Sequence, residues 1–427
     1  MTDIAAESAV VRTAEQRADI RRLMLFFALV YATEGICQSD GLIAQPLNYY
    51  LKQVYQWTPV QITAFLTVLN LPWFLKPFYG MVSDFVPLLG YRRKSWLLLA
   101  NALAVFGYVA ILGVATPGAL ILWLLLAVYG MAIASTLCGA FLVEKGQKLG
   151  SSTAFVNQQW LWFNVAQIGT FTLGGALLEY LAPLGALQWA AAIAAVAPVA
   201  VIFACVFTVD EEKSAISVAG LKASAAGLFH ALSRRHLWVI ALFLLFYYFS
   251  PGVDTPLYFY MTDHLQFSQF YIGVLSSIGA AGGIAAALFY GRFLAHMSAK
   301  ALLNLSILVG VLGTLAFLFL WDPTTAAIAH FCYGAASTIT LVATLGMAAD
   351  RCPAGSEGFA FAALVSVTNI ASSLADNVGS YLYEHVFHDG LYPLILVAAA
   401  FTAVNFLLVP FLNLKGEAHA LVAASRK

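Results

Sequence analysis

A chain of 427 residues that is 61% hydrophobic and only 10% charged cannot fold as a water-soluble globule. One spanning helix takes ~20 mostly apolar residues, so this length holds about a dozen spans with short connections. Formal net charge is zero, so the chain lacks the basic excess of a nucleic-acid binder. In chain order the apolar runs predict spans at 23–45, 61–82, 95–115, 119–143, 153–178 and 187–208. After a polar interval they resume at 237–258, 270–290, 301–320, 324–348, 359–383 and 391–413. The expected fold class is an all-α membrane protein of twelve transmembrane helices in two six-helix, pseudo-symmetric halves.

The distribution of basic residues sets the expected topology. With the N-terminus in the cytoplasm, every Lys and Arg of the 21 except Lys52 and Lys76 falls in a tail, the middle linker or an even-to-odd loop on that side. Such a partition follows the positive-inside rule and puts both termini in the cytoplasm. The expected organisation is a cytoplasmic tail at 1–22, a bundle at 23–208, a cytoplasmic linker at 209–236, a second bundle at 237–413 and a tail at 414–427. The first 22 residues are polar and run straight into the first span, so no cleavable signal is expected. Cys37, Cys138, Cys205, Cys332 and Cys352 lack metal-site spacing, and disulfides are not expected in spans or on a cytoplasmic face. No cofactor or metal is implied, and no Gly-x-x-x-x-Gly-Lys-Ser/Thr loop is present to bind nucleotide.

The two halves echo each other. Phe78-Tyr79-Gly80 returns as Phe289-Tyr290-Gly291, Ala134-Ser135-Thr136 as Ala336-Ser337-Thr338, and Asn164 as Asn369, at offsets of 202 to 211 residues. Two parallel repeats with a site at their interface is a transporter architecture.

Polar residues inside spans are costly and therefore mark candidate sites; a charge at the bilayer centre costs ~2.5–3.5 kcal/mol on the insertion scale. At helical spacing span 1 carries Glu34, Gln38, Gly41 and Gln45, with Asp40 to one side. Span 5 carries Asn157, Trp160, Asn164 and Gln167; span 7 carries Tyr247, Ser250, Asp254 and Tyr258. Span 10 carries His330, Tyr333, Ser337, Thr340 and Thr344; span 11 carries Ser366, Asn369, Ser373, Asp376 and Ser380. Spans 3, 6, 9 and 12 carry almost none and read as scaffold. Single Ser, Thr and Asn residues also serve as interhelical glue, at about 0.6 kcal/mol each.

From this pattern Glu34, Asp254 and Asp376 are the candidates for proton coupling. Candidates for substrate binding are Gln38, Lys76, Trp73, Asn157, Trp160, Asn164, Tyr247, Asp254, Ser337, Asn369 and Asp376. Asp254 follows Ser250-Pro251-Gly252, which is expected to unwind the outer half of span 7, where the carboxylate could equally cap a helix. Trp57, Trp96, Trp189, Trp238 and Trp321 fall at expected interfaces, as an aromatic belt requires. In the loop after span 2, Asp84, Arg92 and Arg93 read as gating groups, with Asp84 capping a neighbouring helix and Glu144 pairing with the basic triplet.

The stretch Phe74-Leu-Lys-Pro-Phe-Tyr-Gly-Met-Val-Ser-Asp84, followed by Pro87, Gly90-Tyr-Arg-Arg-Lys94, resembles the loop between helices 2 and 3 of major facilitator transporters. Its fuller wording resembles the folate-biopterin transporter family. So do Ser250-Pro-Gly-Val-Asp254, Leu257-Tyr-Phe-Tyr260, Gly291-Arg-Phe-Leu294 and Cys352-Pro-Ala-Gly-Ser-Glu-Gly358 leading to Ser366 and Asn369. The resemblance implies a twelve-helix major facilitator fold and proton-driven uptake of pterin-containing anions, with Lys76, Asp84, Arg92, Arg93 and Asp254 at matching positions. It departs in span 4, where the family commonly shows two acidic residues four apart and this chain has Ser135 and Gly139, and at Thr255.

The function expected is therefore a proton-coupled secondary transporter that works by alternating access on a folate- or pterin-like organic anion, and not an enzyme. The alternatives are another small metabolite (sugar, nucleoside or peptidoglycan fragment) or a lipid flippase on the same fold. Expected partners are a small-molecule substrate, protons and the lipid bilayer, with a monomeric protein in a bacterial inner membrane.

Overall fold

The computed structural model describes residues 14–114, 116–149, 151–217, 222, 235–294, 297–350, 352 and 357–412. A chain in lipid has to satisfy its backbone groups within the protein, and the described residues do so with helices. Span 1 is Ala14–Cys37 followed by Ala44–Tyr55, and span 2 is Pro59–Phe74 followed by Lys76–Phe85. Spans 3 to 6 are Lys94–Ile111, Pro117–Leu149, Ser152–Tyr180 and Pro183–Thr208. Span 7 is Arg235–Tyr248 followed by Asp254–Asp263, and span 8 is Gln269–Phe289. Spans 9 to 12 are Ala299–Leu315, Pro323–Asp350, Glu357–Tyr381 and Leu391–Leu408. That makes twelve helical passes among the described residues.

Eight of these passes (spans 3 to 6, 8 to 10 and 12) are individually long and apolar enough to cross a membrane. Spans 1, 2 and 7 are each split into two helices, and span 11 carries the polar stripe. Span 1 begins nine residues before the apolar run, because Ala14-Glu-Gln-Arg-Ala-Asp are good helix formers that hydropathy overlooks. Most of the expected tails and linker, residues 1–13, 218–221, 223–234 and 413–427, lies outside the described residues.

The breaks have local causes. Span 1 turns at Ser39-Asp40-Gly41, where a Cβ on Gly41 would lie 2.4 Å from the Ile36 carbonyl oxygen, so only glycine fits. Span 2 kinks at Leu75 between Pro72 and Pro77, which remove two backbone donors. Span 7 opens at Ser250-Pro251-Gly252, and the freed Gly252 N–H donates to the Ala375 carbonyl of span 11 at 2.9 Å. Gly379 lets span 11 approach closely here, since a Cβ on it would lie 1.9 Å from the Gly252 carbonyl oxygen. The polar residues of span 1 therefore do not form one continuous helix face. Gln45 lies beyond the break and donates to the Gln269 carbonyl of span 8 at 2.7 Å.

Packing differs between the two ends of the bundle. At the end opposite the basic loops, one apolar cluster joins the halves, with Tyr50, Leu51 and Leu69 beside Val253, Phe259 and Tyr383. At the basic-loop end the core divides in two: Phe26, Phe27, Leu137 and Phe155 in the first half, Phe243, Leu303, Ile339 and Leu364 in the second. Polar bridges between the halves follow the same gradient. Lys52 Nζ donates to Thr262 and to Asp263 Oδ1 (2.5 Å), Val60 N to Glu384 (3.2 Å), and Asn377 to Thr67 (2.6 Å). Gly175 of span 5 and Gly273 of span 8 allow the halves to touch backbone to backbone. Among the described residues the halves are bridged and sealed at the Lys52–Asp263 end, while at the basic-loop end their apolar cores are separate.

Candidate functional site

The helix breaks create the site. Each of them stops a helix partway through the bundle and leaves polar groups facing inward, an arrangement that membrane proteins use only where backbone lines a cavity. Three adjoining cavities occupy the centre, of ≈ 310, ≈ 470 and ≈ 440 Å³, and Asp254 lines all three. Its neighbour in the chain, Val253, holds the N-cap position without a side-chain cap, so Asp254 begins the second helix of span 7 with its carboxylate free. It does not act as a side-chain cap.

The ≈ 440 Å³ cavity draws on both halves and gathers Glu34, Gln38, Trp73, Lys76, Trp160, Asn369, Asp254 and Asp376. Asn164 and Ser337 line the ≈ 470 Å³ cavity with Asp254. Tyr247 lines the ≈ 310 Å³ cavity inside the second half, where its hydroxyl shares hydrogen bonds with Ser306 (3.3 Å) and Thr340 (3.4 Å). The Asn157 side chain lies outside the described residues. His330 reaches the ≈ 470 Å³ cavity while its Nδ1 faces the Ala326 carbonyl at 2.8 Å. Spans 9 and 12 are not pure scaffold, because Gly310, Thr314, Ala398 and Thr402 complete the cavity of the second half.

Glu34 is 8% exposed; Oε1 accepts from Ser135 at 2.8 Å, and Oε2 has no hydrogen-bond partner among the described residues. Ser135, which stands where the resembling family commonly has an acid, thus serves here as a donor to the span 1 carboxylate. Lys76 is within electrostatic reach of Glu34 without closing to an ion pair, and its ammonium sits 4.4 Å from the centroid of the Trp73 ring. The cation that span 1 lacks is thereby supplied by span 2. Asp254 and Asp376 have neither a hydrogen-bond nor an ion-pair partner among the described residues, and Tyr333 is within electrostatic reach of both. Asp40 completes the group of acids.

Sequence spacing did not single out Asn70 and Gln159, which also line the cavity. Asn70 lies three residues before Trp73 and six before Lys76, a stripe hidden by the proline kink; its Oδ1 accepts from Ser39 at 2.8 Å.

The loop after span 2 is built differently from the expectation. Asp84 pairs with Arg93, whose guanidinium also donates to Ser83 at 2.8 Å and is almost wholly buried. The group that caps span 3 is Glu211 from the start of the linker, not Asp84. Its carboxylate accepts from the backbone N–H groups of Arg92, Arg93 and Lys94 at 2.9–3.1 Å. Those three amides are the unsatisfied donors at a helix start, where negative charge is favoured. Glu144 pairs with Lys148 one turn along its own helix at 3.4 Å and does not meet the basic triplet. An i, i+4 partner is always within reach, whereas the triplet's amides are already occupied by Glu211.

Comparison with known proteins gives a consistent result. The BT1 family model matches residues 35–414. The Folate-biopterin transporter of Synechocystis sp. is 26% identical, over 84% of this chain and 74% of that protein. Probable folate-biopterin transporter 6 of Arabidopsis thaliana is 25% identical, over 86% and 77%. Putative folate transporter 2 of Plasmodium berghei is 23% identical, over 90% and 88%. Among solved structures, the nucleoside transporter NupG superposes with a TM-score of 0.67 at 15% identity, covering 92% of this chain and 97% of that one. An auto-inhibited POT family peptide transporter gives 0.70 at 10% identity, over 92% and 96%. At such identities the structural likeness shows the fold, which is that of major facilitator transporters.

Proposed function

The chain belongs to the BT1 family, a family of multi-pass membrane transporters rather than enzymes, and from that premise we propose that it is a proton-coupled secondary transporter of a pterin-like small molecule. The observation that carries this reading is the central cavity. It is lined from both halves, sealed at the Lys52–Asp263 end and flanked by divided cores at the basic-loop end. Such a geometry is one of the two states of alternating access, in which rocking of the halves exposes a fixed site to each side in turn. With the basic loops in the cytoplasm, as the positive-inside rule expects, the state is inward-facing.

Within this reading Trp73 and Trp160 offer flat faces to a fused heteroaromatic ring, while Gln38, Asn369 and Asn164 offer paired donors and acceptors. Glu34 carries the coupling proton between the two faces, and Asp254 and Asp376 are the carboxylates to which that role would otherwise pass. Asp84, Arg92 and Arg93, tied to the linker through Glu211, hold the basic-loop end of the first half as a unit that moves during gating. Glu144, paired with Lys148, is left out of that unit.

The reading is tested with purified protein in liposomes free of ATP. Labelled biopterin is expected to accumulate under an inward acid-outside pH gradient and to equilibrate without accumulating when the gradient is collapsed. Failure to bind or move any pterin, together with gradient-driven movement of a nucleoside or sugar, would transfer the protein to another substrate class on the same fold.

A further inference from the structure

The charges in the cavity are strongly unequal. Glu34, Asp40, Asp254 and Asp376 face it or its neighbours, whereas among the described residues lining the three cavities Lys76, in the ≈ 440 Å³ one, is the one lysine or arginine, and His330, in the ≈ 470 Å³ one, is the one histidine. Lys76 is already committed: its ammonium rests on the Trp73 ring, and Glu34 is the carboxylate within its reach. Subtracting that pair leaves three aspartates with no counter-charge. Among the described residues Asp254 and Asp376, both open to the cavity, have no hydrogen-bond partner, and the buried Oε2 of Glu34, a residue 8% exposed, is likewise unpartnered there. An acceptor-rich, cation-poor cavity leaves a ligand's carboxylates without partners and exposes them to like charges, whereas amidine or guanidinium N–H groups find ready acceptors.

Resting on the transporter reading above, we infer that this site selects its cargo by an N–H-rich, amidine-like edge held between Asp254 and Asp376, and discriminates against carboxylate-bearing ligands. The two aspartates come from the broken span 7 and from span 11, held together by the close approach of Gly252 and Gly379. The 2-amino-4-oxopyrimidine edge of a pteridine presents adjacent N–H donors to such a pair, with its ring against Trp73. A glutamate tail on the same ring system would bring two negative charges into a space that holds one committed lysine. Specificity in the chain is thus set by charge as well as by shape, and the uncharged head group alone is favoured over its glutamylated form.

The test uses full-length protein in detergent and a ladder of three ligands that share one ring: pterin with no carboxylate, pteroate with one and pteroylglutamate with two. A cationic aromatic guanidine, phenylguanidine, is added as a second probe, and affinities are read by calorimetry. A like charge about 10 Å from an uncompensated aspartate weakens binding about tenfold at an effective dielectric of ~20. Affinity should therefore fall down the ladder by about that factor per carboxylate, with phenylguanidine binding as well. Asp254→Asn with Asp376→Asn, which preserves shape, should narrow the pterin-to-pteroylglutamate ratio. Pteroylglutamate binding as tightly as pterin would overturn the inference and leave the pterin reading standing. Phenylguanidine binding without any pterin binding would support the inference and overturn the pterin reading. A ratio unchanged in the folded double variant, or binding of neither pterin nor phenylguanidine, would overturn the inference.

Discussion

Replacing Lys52 by Met should release the sealed end of the molecule. The lysine stem is retained in shape, while the ammonium loses Thr262, Asp263 (2.5 Å) and its seat 4.2 Å from the centroid of the Phe259 ring. Its side chain is 10% exposed and that of Asp263 50%, so the ion pair itself is discounted to ~0.2–1 kcal/mol for solvent screening. The partly desolvated cation–π contact contributes ~0.5–2 kcal/mol. Together the loss is about 2 kcal/mol, and all of it falls on the state in which Lys52 and Asp263 meet. A differential of that size shifts a two-state equilibrium ~30-fold. Spin labels at Tyr180 and Trp321, exposed at the sealed end of the first and second halves, report the separation directly by pulsed electron resonance. In Lys52→Met a longer-distance population should appear or grow, while ligand affinity of the central site for a given state is unchanged. Distance distributions identical to wild type would refute the assignment of Lys52 as a clamp.

Other consequences follow from the same geometry. Glu211→Gln keeps one acceptor but removes the charge from the three span 3 amides, a loss of ~1–2 kcal/mol; hydrogen exchange at residues 92–97 should quicken about tenfold, and unchanged protection would mean that Glu211 is no cap. Asp84→Asn breaks the pair with Arg93 and should alter transport rate more than equilibrium binding; abolished binding in a folded variant would contradict a gating role. Glu34→Gln mimics the protonated carboxyl and should support exchange of substrate at equal concentrations without accumulation under a pH gradient. Accumulation at the wild-type level would pass the coupling role to Asp376 or Asp254. Gly379→Ala places a methyl 1.9 Å from the Gly252 carbonyl oxygen, overpacking that costs ~1–3 kcal/mol or more because backbone cannot yield easily; a melting temperature equal to wild type would refute that packing.

Much of the fold was legible because lipid imposes a simple code. Apolar runs of span length placed most of the helices within a few residues, span 1 excepted because its helices run on past the apolar stretch at both ends, and Pro251 with Gly252 announced the break in span 7. The break in span 1 was not legible, since Ser39-Asp40-Gly41 becomes a turn only when Gly41 must approach the Ile36 carbonyl. That turn is why Gln45, expected on the face of Glu34, instead bridges to Gln269. The cavity residues were mostly legible from polar stripes, but Asn70 was masked by the kink between Pro72 and Pro77. Glu211 was missed because a helix cap supplied from 117 residues or more along the chain leaves no local pattern. Glu144 was drawn to its nearest helical neighbour, Lys148, where sequence logic had matched charge to charge across a loop. The pairing of Lys76 with the Glu34 environment needed two spans brought together, and no single-helix spacing contains it.

The central claim is that substrate and protons cross through the same alternating site. The most direct measurement places a pH-sensitive dye inside proteoliposomes, with no pH gradient, and follows lumen pH and labelled biopterin together after the substrate is added outside. Symport predicts that the lumen acidifies as substrate enters, and that Glu34→Gln admits substrate without the pH change. Substrate entry with no proton movement in the wild-type protein would contradict the account.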